Sequence, residues 1–125
     1  MTSVMAWQET AEARKLDAAM RQCIENCMNC ASICLETLAY VTAKGGDLAS
    51  PERLRALADC AEMCRTSADF MLRGSPIHGE VCGACAAACE ACEDACREME
   101  SDPQLAACAE ACSACGETCR AMANG

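Results

Sequence analysis

The chain of 125 residues is the size of one ordinary domain, and it carries 15 cysteines, eight methionines and only three aromatic residues, Trp7, Tyr40 and Phe70. Nineteen acidic residues against ten basic ones give a formal charge of −9, which excludes the phosphate-neutralising surface of a nucleic-acid-binding protein and any attraction to an anionic membrane. No stretch approaches the roughly 20 apolar residues of a membrane-spanning helix.

In chain order, residues 1–15 are helix formers without a breaker. Fused to the helix that follows, they would make a rod about 60 Å long, against roughly 30–40 Å for the other helices. They are therefore expected to form a short N-terminal helical extension, with residues 16–123 forming the main body. The first main helix is predicted over residues 16–43 and stops at Gly45-Gly46. Ser50-Pro51 opens a second over 51–73, which stops at Gly74. Ser75-Pro76 opens a third over 76–100, and Asp102-Pro103 a fourth over 103–123. In each opening pair a good N-cap residue precedes a proline, whose missing N–H had no helical partner to lose. No run of β-branched or aromatic residues suggests a strand. Short connections make successive helices antiparallel, so the expected fold class is all-α: an antiparallel up-down-up-down four-helix bundle with a cysteine-lined core.

Residues spaced alternately by three and four share one face of a helix. The first helix places Met20, Cys23, Cys27, Cys30 and Cys34 on such a stripe, and the second places Leu57, Cys60, Cys64, Ser67 and Met71. The third carries His78, Cys82, Cys85, Cys89, Cys92, Cys96 and Met99, and the fourth carries Leu105, Cys108, Cys112, Cys115, Cys119 and Met122. All 15 cysteines lie on these stripes, where an ordinary bundle holds Leu, Ile and Val. A cysteine is often a small buried hydrophobe, but 15 in register would make a thin core, and chemistry is the better explanation.

The expected compartment is cytoplasmic, because the first ten residues lack a basic segment followed by an apolar run. Thiols stay reduced there, and dense cysteine signals metal or redox chemistry. Zinc asks for separate tetrahedral sets of four ligands, and iron–sulfur clusters commonly use clustered cysteines in loops. A continuous helical column of soft thiolates suits copper(I) instead. Exchanging each thiol proton for Cu⁺ leaves the charge unchanged, whereas a zinc tetrathiolate would carry about −2 into the core. With bridging thiolates, the load is on the order of one ion per cysteine.

The spacing Cys23-x3-Cys27-x2-Cys30-x3-Cys34 recurs as Cys85-x3-Cys89-x2-Cys92-x3-Cys96 and as Cys108-x3-Cys112-x2-Cys115-x3-Cys119. Together with Ala61-Glu62-Met63-Cys64, Ala68-Asp69-Phe70-Met71 and Cys82-Gly83-Ala84-Cys85, these motifs resemble the bacterial four-helix-bundle copper storage proteins, in their cytosolic branch. The resemblance covers residues 16–123 and implies copper(I) storage on thiolates lining the interior of each bundle, with four bundles assembled as a homotetramer. The second helix departs from the pattern: it has two cysteines, with Leu57 and Ser67 beside them on the stripe, so capacity on that side is expected to be lower.

Antiparallel order brings Met20, Met71, His78 and Met122 to one end of the bundle, all able to ligate copper(I), and they form an expected mouth. The opposite end collects Thr37, Leu38, Val41, Leu57, Met99 and Leu105 and is mostly apolar. Met5, Met28 and Met63 lie off the stripes. The metal-ligand set is thus the 15 stripe cysteines with those four mouth residues, and neither a catalytic residue nor an organic cofactor is expected. Other readings are a zinc or mixed-metal buffer, an inert bundle and a thiol–disulfide oxidoreductase. The last conflicts with mid-helix cysteine pairs and no strand to support them.

Overall fold

In a computed structural model, residues 17–125 are described, so the expected extension over residues 1–15 lies outside the described residues. Four helices follow one another: α1 (Ala18–Lys44), α2 (Pro51–Leu72), α3 (His78–Arg97) and α4 (Pro103–Asn124), with a 3-10 turn at Gly46–Ala49 between the first two. There is no strand among the described residues. Each helix packs on its neighbour in sequence, and α1 packs on α4, which closes the antiparallel four-helix ring.

Local chemistry sets the boundaries. Asp17 caps α1 through its carboxylate, which accepts from the Met20 N–H at 2.8 Å. Ser50 Oγ accepts from the Arg53 N–H at 3.2 Å, and Asp102 Oδ1 accepts from the Gln104 N–H at 2.8 Å, so both Ser-Pro and Asp-Pro starts at Pro51 and Pro103 form as expected. The third start differs from the expectation at Pro76. At the end of α2, Ser75 N–H bonds to Phe70 C=O at 3.0 Å and Gly74 N–H to Met71 C=O at 3.1 Å, with Gly74 at φ 67°. This Schellman motif engages Ser75, and residues 75–77 are spent on the turn before α3 begins at His78. The same helix ends at Arg97, three residues short of the predicted 100, in a series of tight turns through Asp102.

The interior consists of sulfur and small residues. Cys23, Cys27, Cys30, Cys34 and the other 11 cysteines are all buried, and Ile24, Val41, Leu57, Met71 and Leu105 are the larger aliphatic side chains buried with them. Alanines 31, 61, 68, 86, 109 and 111 are buried beside the stripes. A methyl group there lets helix backbones approach closely, which narrows the bundle enough for cysteine side chains to meet across its axis.

One buried charge braces the structure. Arg53 is 2% exposed. Its Nε–H donates to Ala95 C=O at 2.8 Å, its Nη1 to Asp47 C=O at 2.7 Å and Leu48 C=O at 3.1 Å, and its Nη2 pairs with Glu98 at 3.1 Å. It therefore ties the α1–α2 connection to the end of α3. Arg53→Met should destabilise the reduced, metal-free protein by about 2–4 kcal/mol in chemical denaturation, because three carbonyls, those of Asp47, Leu48 and Ala95, lose their donor, and Arg53→Lys should recover part of that.

Candidate metal centre

The helical stripes converge on the bundle axis as expected, and none of the sulfurs lies on the outside. The shortest separation, Cys27 Sγ to Cys119 Sγ, is 3.5 Å, far beyond the roughly 2.0 Å of a disulfide, so all 15 thiols are free.

The sulfurs stack in layers. At one end Cys23 meets Cys119 at 3.7 Å, and Cys82 meets the Ser67 hydroxyl at 3.2 Å. One turn inward, Cys115 lies 3.6 Å from both Cys27 and Cys64, and Cys64 lies 3.7 Å from Cys85. Next, Cys60 touches Cys30 and Cys89 at 3.7 Å and Cys112 at 3.9 Å. Then Cys34 meets Cys92 and Cys108, each at 3.9 Å. Cys96 lies beyond them, a turn further along α3. Contacts also run between layers: Cys60–Cys64, Cys30–Cys34 and Cys115–Cys119 are each 3.9 Å.

Several sets of four sulfurs lie within 4.8 Å of one another. Three do not overlap: Cys27, Cys85, Cys115 and Cys119; Cys30, Cys60, Cys64 and Cys89; and Cys34, Cys92, Cys108 and Cys112. Distances alone would let each hold one zinc ion. Yet Cys64 is as close to Cys115 in another set, at 3.6 Å, as to Cys60 and Cys89 in its own, at 3.9 and 3.7 Å. The column is not partitioned into separate tetrahedra, and three zinc tetrathiolates would place about −6 in an interior where Arg53 is the one buried charged residue among those described. Bridged, singly charged ions fit without that cost.

Burial disfavours thiolates. Ten thiols are held above the ordinary thiol range, Cys64 first by its contact with Cys115 and Cys34 first by Cys108, with burial adding to both. Cys27, Cys30, Cys60, Cys108 and Cys119 are pushed down by their contacts with neighbouring sulfurs, foremost at Cys27 by the Cys115 S–H that donates to it. Protons in such a chain belong to the network of sulfurs as a whole.

The two ends differ. One turn outside the Cys23–Cys82–Cys119 layer stand the four expected mouth residues: Met71 fully buried, and Met20, His78 and Met122 half-buried. His78 Nδ1–H donates to Ser75 C=O at 2.9 Å, since a carbonyl can only accept, and this leaves Nε2 with its lone pair. The opposite end is pinned. Thr37, Val41, Leu57 and Leu105 are fully buried, Leu38 and Met99 half-buried. There Gln104 Nε2–H donates to Thr37 Oγ1 at 2.9 Å, and Tyr40 O–H donates to Asp102 at 2.6 Å. The brace at Arg53 was not singled out from the sequence. Its signal was available, because it lies four residues before Leu57 and so continues the α2 stripe. Of the methionines set aside, Met28 is 55% exposed, Met63 is half-buried, and Met5 lies outside the described residues.

A family model described as copper storage protein matches residues 9–124. A comparison with curated proteins gives no match. Among solved structures, the Nmul_A1745 protein of Nitrosospira multiformis is 36% identical with a TM-score of 0.81, covering 87% of this chain and 98% of that one. The Cu(I)-bound copper storage protein BsCsp3 is 31% identical with a TM-score of 0.79, over 84% and 98% of the two chains. A cytosolic copper storage protein from Streptomyces lividans, holding five coppers, is 30% identical with a TM-score of 0.75, over 86% and 93%. Because the family match begins ahead of α1 and runs to the last turn of α4, it takes in the whole sulfur column, and the chain belongs to the copper storage protein family.

Proposed function

We propose that this chain stores copper(I), with the 15 stripe cysteines as ligands and Met20, Met71, His78 and Met122 as the mouth. The observation that carries the reading is the unbroken sulfur contact along the axis, in which neighbouring sets of four share the same spacing within and between them. Copper(I) accepts few soft ligands and its thiolates bridge, so such a column fills with ions and stays near neutral. It is a binding function without catalysis, and no pair of thiols is set apart from the rest as a reactive dithiol would be.

The mouth supplies weaker donors ahead of stronger ones. Thioether and imidazole release copper(I) more readily than thiolate, so an ion moves inward down a gradient of affinity. At the opposite end the one such donor on the stripes is the half-buried Met99, set among Thr37, Val41, Leu57 and Leu105, which are fully buried.

Two further parts of the reading concern the setting of the bundle. Four copies assemble, as the resemblance implies, through the outer face of α1 and α2, where Met28, Leu35 and Leu72 are exposed at 55%, 41% and 49% with Arg65 and Asp69 between them. The compartment is the cytosol, supported by the cytosolic Streptomyces lividans relative.

Anaerobic titration of the reduced protein with Cu⁺ should saturate at on the order of one ion per cysteine, whereas saturation at about three or four ions would overturn the reading. Replacing Met20, Met71, Met122 with Leu and His78 with Ala together should slow loading while leaving capacity nearly intact, as followed by near-ultraviolet thiolate absorbance; an unchanged loading rate would remove the mouth. Loading should release about one proton per ion, and apparent affinity should fall about tenfold per pH unit of acidification for each proton displaced. The sign follows from the raised thiols: below their ordinary range the proton is bound and competes with the metal.

A further inference from the structure

We infer that Ser67 makes the outermost layer of the column an exchange site, so that the store has a small labile fraction in front of a tightly held interior. The inference rests on the storage reading and extends it to how copper leaves.

The argument begins with the α2 stripe, which runs Arg53, Leu57, Cys60, Cys64, Ser67, Met71. In the two inner layers all four helices contribute a sulfur. There Cys64 has sulfur neighbours at 3.9 Å (Cys60), 3.7 Å (Cys85), 3.7 Å (Cys89) and 3.6 Å (Cys115). One turn outward, α2 supplies an oxygen. Ser67 is fully buried, and its hydroxyl lies 3.2 Å from Cys82 Sγ. The layer therefore offers three thiols, Cys23, Cys82 and Cys119, and one alcohol.

That alcohol cannot act as a fourth thiol. A serine hydroxyl keeps its proton at neutral pH, so it has no charge-neutral exchange of H⁺ for Cu⁺ to offer. It is also a hard donor, poorly matched to a soft ion. Its own hydrogen-bonding need is met by its contact with the Cys82 sulfur, which keeps a buried polar group satisfied without a metal. The next residue outward on this stripe is Met71, a neutral thioether that is fully buried at the mouth. An ion in this layer thus has fewer thiolates to bridge than one further in, and a weaker donor on its outer side.

The other gap in the α2 stripe gives no second exchange site. Leu57 also replaces a cysteine, but it is fully buried at the end braced by Arg53 and by the Gln104–Thr37 bond. Missing sulfur changes copper release only where a competing ligand can reach the ion. The two interruptions are therefore chemically similar in number and opposite in consequence.

The test uses the full chain, loaded anaerobically with Cu⁺ to saturation and then challenged with an excess of a chromogenic cuprous chelator. The wild-type protein should release a minor fraction fast and the remainder slowly. In Ser67→Cys the fast fraction should slow by about tenfold and total capacity should rise by about one ion, because the layer gains its fourth thiolate. Ser67→Ala supplies no sulfur and should keep the fast fraction. Leu57→Cys, which adds a thiol at the sealed end, should leave the fast fraction as it is. A wild-type time course in Ser67→Cys, or loss of the fast fraction in Leu57→Cys, would overturn the inference while storage stands. Uptake of no more than about four ions by the wild-type chain would instead remove the storage reading beneath it.

Discussion

A buried thiol can trade its proton for a monovalent ion without altering the charge of the interior, and this exchange is the constraint on which the whole molecule is built. A core of 15 ionised sulfurs would be untenable in a low-dielectric bundle. A core of 15 neutral thiols is stable, and a core of copper thiolates is close to neutral as well. The same stripe positions that would hold leucine in an ordinary bundle can therefore hold cargo, and the helices need no separate binding loop. Contacts with neighbouring thiols raise Cys64 and Cys112, and the burial that makes the exchange necessary adds to both.

Packing pays a cost for this substitution, and the sequence shows where it is offset. Cysteine fills less volume than leucine, so the helices must come closer than usual for sulfurs to touch. Buried alanines flank the stripes, and on α4 the Gly116 backbone faces Cys89, where an added Cβ would come within 3.4 Å of the Cys89 Cβ. Remaining stability is concentrated at the closed end, where aliphatic side chains and the Arg53 brace replace sulfur. The bundle is thus divided along its length: one end holds the fold together, the middle holds the sulfurs, and the other end carries exchangeable donors.

The proposed mouth rests on this division. Helix order fixes which termini meet, and it gathers three thioethers and the imidazole at one end, against the single thioether of Met99 at the other. A His78 tautomer set by a backbone carbonyl points to the same end as the labile layer capped by Ser67. The first of these comes from the α2–α3 connection: the Schellman turn that delays α3 to His78 also puts the Ser75 carbonyl beside the imidazole.

Much of this was legible in the chain itself. The stripes of cysteine, the caps at Ser50 and Asp102, and the glycine stops are local, because 3.6 residues per turn and the chemistry of a helix terminus require no knowledge of distant residues. So the helices, the inward direction of the thiols and the preference for a soft monovalent ion followed from sequence. What only the tertiary structure decided is which sulfurs share a layer, such as Cys34 with Cys92, 58 residues apart, or Cys82 with Ser67. It also decided that Arg53 is buried and that Pro76 lies in a turn. Axial register and rotation between helices are set by loop closure and by contacts between residues remote in the chain, and periodicity within one helix carries no information about either.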